Sequence, residues 1–147
     1  MNENASLIHV GLTVSDIDRT IDFYKKFFGF TEEFRGVFSS EFIADAPTLY
    51  RQEEGVYSDF AFIKSPNGLV LELFQFSSNL KAEQPAWNIP GYHHIAFKVD
   101  SVVESYQWMI EEGVEFFFEP KFRGDPKDNL YWVFLKDPDG NMVELQD

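Results

Sequence analysis

The chain has 147 residues, of which 44% are hydrophobic and 25% are charged, the balance of one globular domain. Its 12 Lys and Arg against 25 Asp and Glu give a net charge of −13, which disfavours binding to nucleic acid and to anionic membranes. It has no Cys, which excludes disulfides, thiolate metal sites and a cysteine nucleophile. Neither a secretory signal nor an apolar run of membrane-spanning length is visible, so we expect a cytoplasmic protein.

The sequence contains an internal repeat, which is the most informative pattern in it. Residues 62–73 (FIKSPNGLVLEL) align with residues 134–145 (FLKDPDGNMVEL) at an offset of 72, with six identities in twelve positions. Residues 8–14 align with residues 93–99 at an offset of 85. The difference between the two offsets is extra length in the first copy. The repeat therefore predicts a duplicated module.

We expect one domain, residues 1–147, made of two modules that cover residues 6–76 and residues 92–146. The segment between them, residues 77–91, is polar and contains Pro85, Pro90 and Gly91, as is typical of a linker.

The first module is predicted to be a strand, a helix and three further strands. Residues 7–14 favour a strand, and Ser15 with Asp18 predicts a capping-box start for the helix. Gly29 stands where a helix C-cap belongs. The helix has one apolar face, formed by Ile17, Ile21, Tyr24 and Phe28. The remaining parts are extended segments near 30–43 and 56–64, an irregular insertion at 44–55, a turn at 65–68 and a last strand at 69–76.

The second module repeats this order, which gives an α+β fold with two βαβββ modules. Ser101 with Glu104 predicts a capped helix that ends at Glu112, after a strand at 92–99. The parts that follow are a strand near 114–119, an irregular basic loop at 120–129, a strand at 130–136, a turn at 137–140 and a last strand at 141–146.

Four residues could carry chemistry: His9 and His94 at the start of each first strand, and Glu72 and Glu144 in each last strand. If the modules face each other about a pseudo-twofold axis, the four side chains converge. Two imidazoles and two carboxylates suit one divalent ion such as Ni, Co, Zn, Mn or Fe(II). A lone strand Glu usually faces solvent and a lone His is usually structural, so the recurrence at matched positions indicates the metal site. His93 alternates to the other face and is interpreted as structural.

The chain resembles the vicinal oxygen chelate superfamily, which includes glyoxalases, bleomycin-resistance proteins and extradiol dioxygenases. The resemblance covers nearly the whole chain and rests on short motifs: IHVGLTV at residues 8–14, DFY at 22–24, FGF at 28–30, GYHHIAF at 91–97, and DPDGN at 137–141 with Glu144-Leu145. It implies paired βαβββ modules, each a curved four-stranded sheet, that form an open barrel around a metal ion.

The resemblance also implies a reaction. The set His9, Glu72, His94 and Glu144 is similar to that of bacterial-type glyoxalase I, which implies a metal-dependent lyase or isomerase, lactoylglutathione-lyase-like, that moves a proton next to a chelated carbonyl. Glu144 would be the main base, and Glu72 a ligand and second base. One alternative is an extradiol-type dioxygenase or another enzyme of the superfamily that needs only His9, His94 and Glu144. The other alternative is a non-catalytic, drug-binding protein of the bleomycin-resistance type.

The substrate is expected to be a small molecule, and the family's habit of completing its sheets with a second copy implies a homodimer. Candidate substrate-binding residues are Lys121 and Arg123 in the basic loop, and Tyr50 and Arg51 in the insertion, which is expected to cover a substrate as active-site loops often do. The basic loop could equally be a solvated segment that balances nearby acidic residues. The strongly acidic surface argues against anionic glutathione or coenzyme A conjugates.

Overall fold

The computed structural model of the protein describes residues 5–78 and 86–147. The chain divides into two compact units, Met1–Lys81 and Ala82–Asp147. Each unit contains one four-stranded mixed sheet and a helix packed against it, so the predicted α+β class is confirmed. The predicted linker lies partly outside the described residues, as does its Pro85. Within the described ranges no helix is long and apolar enough to cross a bilayer.

The sheet of the first unit has the strand order β1-β4-β3-β2. Strands β1 and β4 are parallel, and the other neighbours are antiparallel. The elements of this unit, in chain order, are β1 (Val10–Thr13), α1 (Ile17–Phe28), β2 (Thr31–Phe38), α2 (Ser40–Ala44), α3 (Pro47–Tyr50), β3 (Ser58–Lys64) and β4 (Val70–Phe76).

Helix α1 packs one buried face against β2, β3 and β4. Its N-cap is Asp16, whose Oδ1 accepts a hydrogen bond from the Arg19 backbone N–H at 3.0 Å, so the predicted cap at Ser15 is wrong by one residue. Both residue types are good N-caps, and the turn between strand and helix selects the second. The predicted C-cap at Gly29 is confirmed, with φ of 68° in the left-handed region.

The second unit repeats the arrangement with the strand order β5-β8-β7-β6. Strands β5 and β8 are parallel, as β1 and β4 are in the first unit. Ser101 caps helix α4, as predicted, by accepting from the Glu104 backbone N–H. The elements of this unit are β5 (His94–Lys98), α4 (Val102–Glu111), β6 (Lys121–Phe122), a 3-10 turn (Pro126–Asp128), β7 (Tyr131–Lys136) and β8 (Met142–Gln146).

Three segments differ from the sequence-based prediction. The expected strand near 114–119 is reduced to one bridge between Phe116 and Leu135, and β6 forms instead inside the predicted loop. Pro120 separates the two stretches, and because it has no N–H it cannot continue a ladder. In the first unit, residues 40–44 are helical rather than extended, with Ser39 as the N-cap. The insertion contains the short helix α3, which begins at Pro47, a favoured first helical residue.

Alternation along the last strands gives each sheet two different faces. In β4, Leu71 and Leu73 are fully buried, and Glu72 between them points to the other face. In β8, Val143 and Leu145 are fully buried in the same way, and Glu144 lies between them. The Glu72 and Glu144 side chains therefore lie on one face of their sheets, and these leucine and valine side chains lie on the other face.

Candidate functional site: two equivalent histidine–glutamate pairs

The first pair is formed by His9 and Glu72, whose Nε2 and Oε2 atoms are 2.9 Å apart. Glu72 lies opposite Gly11 in the parallel ladder between β1 and β4. His9 precedes Gly11 by two residues, so its side chain projects from the same face. The His9 side chain is 38% exposed and that of Glu72 is 13% exposed, so the pair opens to one side.

The second pair, His94 and Glu144, is built in the same way in the second unit. Its Nε2 and Oε2 atoms are 3.2 Å apart. Glu144 lies opposite Ala96, and His94 precedes Ala96 by two residues. The parallel ladder and the small residue beside the carboxylate recur, so the equivalence seen in the sequence holds within each unit in three dimensions.

A phenylalanine ring packs against the imidazole of each pair. Phe62 lies opposite Glu72 on the antiparallel neighbour, and Phe134 lies opposite Glu144. Their rings meet the imidazoles edge-on, at 5.8 Å for Phe62 with His9 and 5.0 Å for Phe134 with His94. These rings restrict the orientations of the two imidazoles.

The two carboxylates differ in their remaining contacts. The Gln146 side-chain amide donates to Glu144 Oε1 at 2.7 Å, and Arg123 Nη1 donates to Gln146 Oε1 at 3.0 Å. Arg123 also donates to the Asp147 carbonyl at 2.8 Å. The residue that corresponds to Gln146 in the first repeat is Phe74, which has no amide to donate. Glu144 is therefore held at both carboxylate oxygens.

The donor sets fit a divalent ion. Two ligands at a right angle around an ion, each about 2.1 Å from it, lie about 3.0 Å apart. The separations of 2.9 Å and 3.2 Å match that value. The same distances also suit a hydrogen bond between a neutral imidazole and a carboxylate. Across the parts of the chain that the structure describes, no group of three or more His, Asp or Glu side chains could hold a metal ion, so each unit supplies a pair.

The second pair opens into a cavity of about 610 Å³. This volume is within the range of small-molecule sites, roughly 300–1,000 Å³. Trp87, from the segment before β5, stacks over the His94 ring at 5.5 Å. The walls are predominantly aromatic, and the lining residues are Trp87, His94, Phe117, Phe118, Trp132, Phe134, Met142 and Glu144.

The residues predicted to bind substrate lie in different surroundings. Tyr50 lines a cleft of about 520 Å³ in the first unit together with Phe74 and Phe76, and the neighbouring Arg51 is exposed. The Lys121 ammonium lies 4.6 Å from the centre of the Phe118 ring. Arg123 donates hydrogen bonds to Gln146 and to the Asp147 carbonyl and also lines a small cavity of about 170 Å³. Substrate binding by these four residues stays a prediction.

Sequence reasoning missed two contributors to the second pair. Gln146 follows Glu144 by two residues in β8, and this spacing on one strand face is the signal that could have identified it. Trp87 lies in the predicted linker and has no such signal. The His93 Nδ1 atom is 3.0 Å from the Gly91 carbonyl, and its buried Nε2 has no hydrogen-bond partner among residues 5–78 and 86–147. The contact with Gly91 suits the structural role predicted for His93, which stays a prediction.

The chain is similar in sequence and in fold to known proteins. The chain is 31% identical over 141 residues to the uncharacterized protein YwkD of Bacillus subtilis (strain 168), and the match covers 95% of this chain and 94% of that protein. A glyoxalase family protein from Bacillus cereus has the same fold, with a TM-score of 0.77, 19% identity and coverage of 99% and 97% of the two chains.

A mutant of the fosfomycin resistance protein FosX from Listeria monocytogenes, complexed with Mn(II) and 1S,2S-dihydroxypropylphosphonic acid, also shares the fold. Its TM-score is 0.65 and its identity 22%, with coverage of 97% of this chain and 91% of that chain. Residues 6–145 match the family described as the Glyoxalase/Bleomycin resistance protein/Dioxygenase superfamily, whose members include metal-dependent enzymes and often bind divalent ions. The chain belongs to this superfamily and has its glyoxalase-like α+β fold.

Proposed function

We propose that the protein is a metal-dependent isomerase or lyase of the glyoxalase type. In this proposal one divalent ion is bound by His9, Glu72, His94 and Glu144, with the two pairs supplied by one chain or by two copies of it. The repeated His–Glu pair, at a separation that suits two neighbouring ligands of one ion, is the observation that carries the proposal. The occurrence of a carboxylate in both pairs favours the four-ligand set over a three-ligand set.

The proposed reaction is proton transfer beside a carbonyl group. A bound divalent ion supplies Lewis-acid stabilisation of the negative charge that develops on the substrate's oxygens. Glu144 removes a proton from carbon and exchanges it with solvent, and a proton then returns from Glu144 to that carbon or to its neighbour, so the substrate undergoes no net oxidation or reduction. Glu144 suits this role because it is 8% exposed and because Gln146 and His94 fix its two oxygens. Glu72, without an amide donor such as Gln146, serves as a ligand and as the second base.

A non-catalytic function in small-molecule binding is the second candidate. The observation that favours it is the cavity beside His94, because its aromatic walls would retain an apolar ligand without any chemistry. The two candidates differ in one measurable property, since only the enzyme exchanges a carbon-bound proton of its ligand with solvent.

The experiment combines metal content with proton exchange. The protein is purified without a metal-affinity tag, its metal is measured by elemental analysis, and it is loaded in turn with Ni, Co, Zn and Mn. Each form is incubated in D₂O with the hemithioacetals of methylglyoxal and glutathione or a neutral thiol, and deuterium uptake at carbon is followed by NMR. Exchange that depends on the ion supports the enzyme. Tight ligand binding with no exchange under any ion supports the binding protein.

We also propose that the protein acts as a homodimer. Strand β2 and strand β6 are edge strands of their sheets, and such edges invite pairing with another chain. Light scattering at micromolar concentration should give twice the chain mass of 17.1 kDa, and a mass of one chain would contradict the proposal.

A further inference from the structure

We infer that the cavity beside His94 and Glu144 is a binding site for an uncharged aromatic group of the substrate. The inference extends the proposed function by naming a class of substrate. Its statement about the reacting oxygens of the substrate rests on the proposed function. It narrows the substrate class to neutral aryl compounds with a carbonyl and a neighbouring oxygen, and disfavours anionic thiol conjugates.

The shape of the cavity supports an aromatic occupant. Phe134 is packed edge-on to His94 at 5.0 Å and to Trp132 at 5.9 Å. Trp87 covers the His94 side, and Phe118 meets Trp132 edge-on at 5.0 Å on the other side. Aromatic rings prefer offset-stacked or edge-to-face neighbours, and these walls offer both ring faces and ring edges to a planar group. The 610 Å³ volume is large enough for such a group with its oxygens directed to His94 and Glu144.

The charges around the cavity support a neutral occupant. Among the lining residues, Glu144 carries a formal charge and His94 is the other titratable group, while the remaining walls are aromatic or methionine side chains. The chain as a whole carries −13, so a polyanionic ligand would be repelled as it approached. Lys121 lies over the Phe118 ring, where it is engaged in a cation–π contact. Arg123 is occupied with Gln146 and the Asp147 carbonyl.

The test uses two neutral probes that differ in the aromatic ring. Phenacyl alcohol carries a phenyl ring on a hydroxyketone, and hydroxyacetone carries a methyl group in its place. Isothermal titration of the protein as purified should give a dissociation constant at least tenfold lower for phenacyl alcohol. Equal affinities for the two probes would overturn the inference.

The tryptophans of the chain allow the location to be tested. The chain has three, of which Trp87 and Trp132 line the cavity and Trp108 lies on α4. In a Trp108→Phe background, phenacyl alcohol should quench the remaining fluorescence saturably, with N-acetyltryptophanamide as the control for collisional quenching. Trp132→Leu and Phe118→Leu should each weaken binding about tenfold, with circular dichroism to verify folding. If either folded variant binds phenacyl alcohol with the wild-type affinity, the probe does not bind in this cavity and the inference is overturned.

Proton exchange separates this inference from the proposed function. Both probes carry exchangeable protons beside their carbonyl, and their uptake of deuterium is measured with each metal form. If phenacyl alcohol binds tightly but neither probe exchanges, the aromatic site stands and the proposed reaction fails. If the two probes exchange with equal kcat/KM, the reaction stands and the aromatic site fails.

Discussion

Substitution of Glu144 by Gln or by Ala should separate the structural and the chemical roles of this residue. Glu144 is 8% exposed, accepts a hydrogen bond from Gln146 at 2.7 Å and lies 3.2 Å from His94 Nε2. In Glu144→Gln the amide oxygen still accepts from Gln146, and the amide nitrogen can donate to a neutral His94. We expect the free energy of unfolding of the metal-free protein to change by less than about 0.5 kcal/mol, since both hydrogen bonds are kept.

Glu144→Ala removes the acceptor and leaves the Gln146 amide without its partner. A donor left unsatisfied in a fully buried site costs about 1–3 kcal/mol, and because Gln146 is half-buried we expect the lower end of that range, about 1 kcal/mol. For a chain of this size the midpoint of thermal unfolding falls by about 2–4 °C for each kcal/mol. Urea and thermal unfolding of the wild type and both variants, followed by circular dichroism, measure the difference directly.

The rate of proton transfer should fall in both variants, because neither Gln nor Ala at position 144 can accept the substrate proton. A positioned general base typically contributes about 10²- to 10⁴-fold to the rate, so both variants should lose exchange by a factor in that range. The amide oxygen can still coordinate, so Glu144→Gln should keep a good deal of its metal. Wild-type exchange in metal-loaded Glu144→Gln would refute the assignment of Glu144 as the main base and would transfer that role to Glu72.

Three further predictions concern the surroundings of the pairs. Gln146→Met should keep the metal but lower kcat for proton exchange about tenfold by freeing Glu144, and an unchanged kcat with a raised KM would contradict a positioning role. Asp137 accepts three hydrogen bonds that close the turn at residues 137–140. Asp137→Ala should therefore lower the free energy of unfolding, measured in urea, by about 1–3 kcal/mol. A loss below about 0.5 kcal/mol, the size of one surface contact, would contradict this prediction. The Lys136 ammonium lowers the pKa of Glu115. Their ion pair therefore stabilises the fold above the ordinary Glu pKa, and this stabilisation is lost as the pH falls through the lowered value. NMR titration should find the Glu115 pKa back at its ordinary value in Lys136→Met, and a pKa unchanged from the wild type would contradict the contact.

The internal repeat allows much of the fold and both pairs to be predicted. The alignment at an offset of 72 matches Phe62 with Phe134 and Glu72 with Glu144, and each Phe lies opposite its Glu in the structure. This succeeds because the turn between the two strands sets their register, and both turns have a Gly in the left-handed region as their last residue, Gly68 and Gly140.

Contacts between distant residues cannot be predicted in this way. Arg123 and Gln146 are 23 residues apart, and nothing in the periodicity of either segment indicates their hydrogen bond. The place of Arg123 in a basic loop suggests a substrate-binding cation, which stays a prediction, and it gives no sign of the hydrogen bond to Gln146. The capping error at Ser15 has a local cause, since Asp16 beside it is an equally good cap and only the path of the chain decides between them. The single domain of two modules, with its bounds at residues 6–76 and 92–146, stays a prediction.

The number of metal ions bound per chain tests the central proposal most directly. Equilibrium dialysis of untagged protein against Co²⁺, followed by elemental analysis, should give one ion per chain. At the same Co²⁺ concentration His9→Ala and His94→Ala should each lose most of that ion, because in the proposal both pairs bind the same one. Two ions per chain, or variants that each keep one ion at wild-type affinity, would show that the pairs are separate and would contradict the four-ligand site.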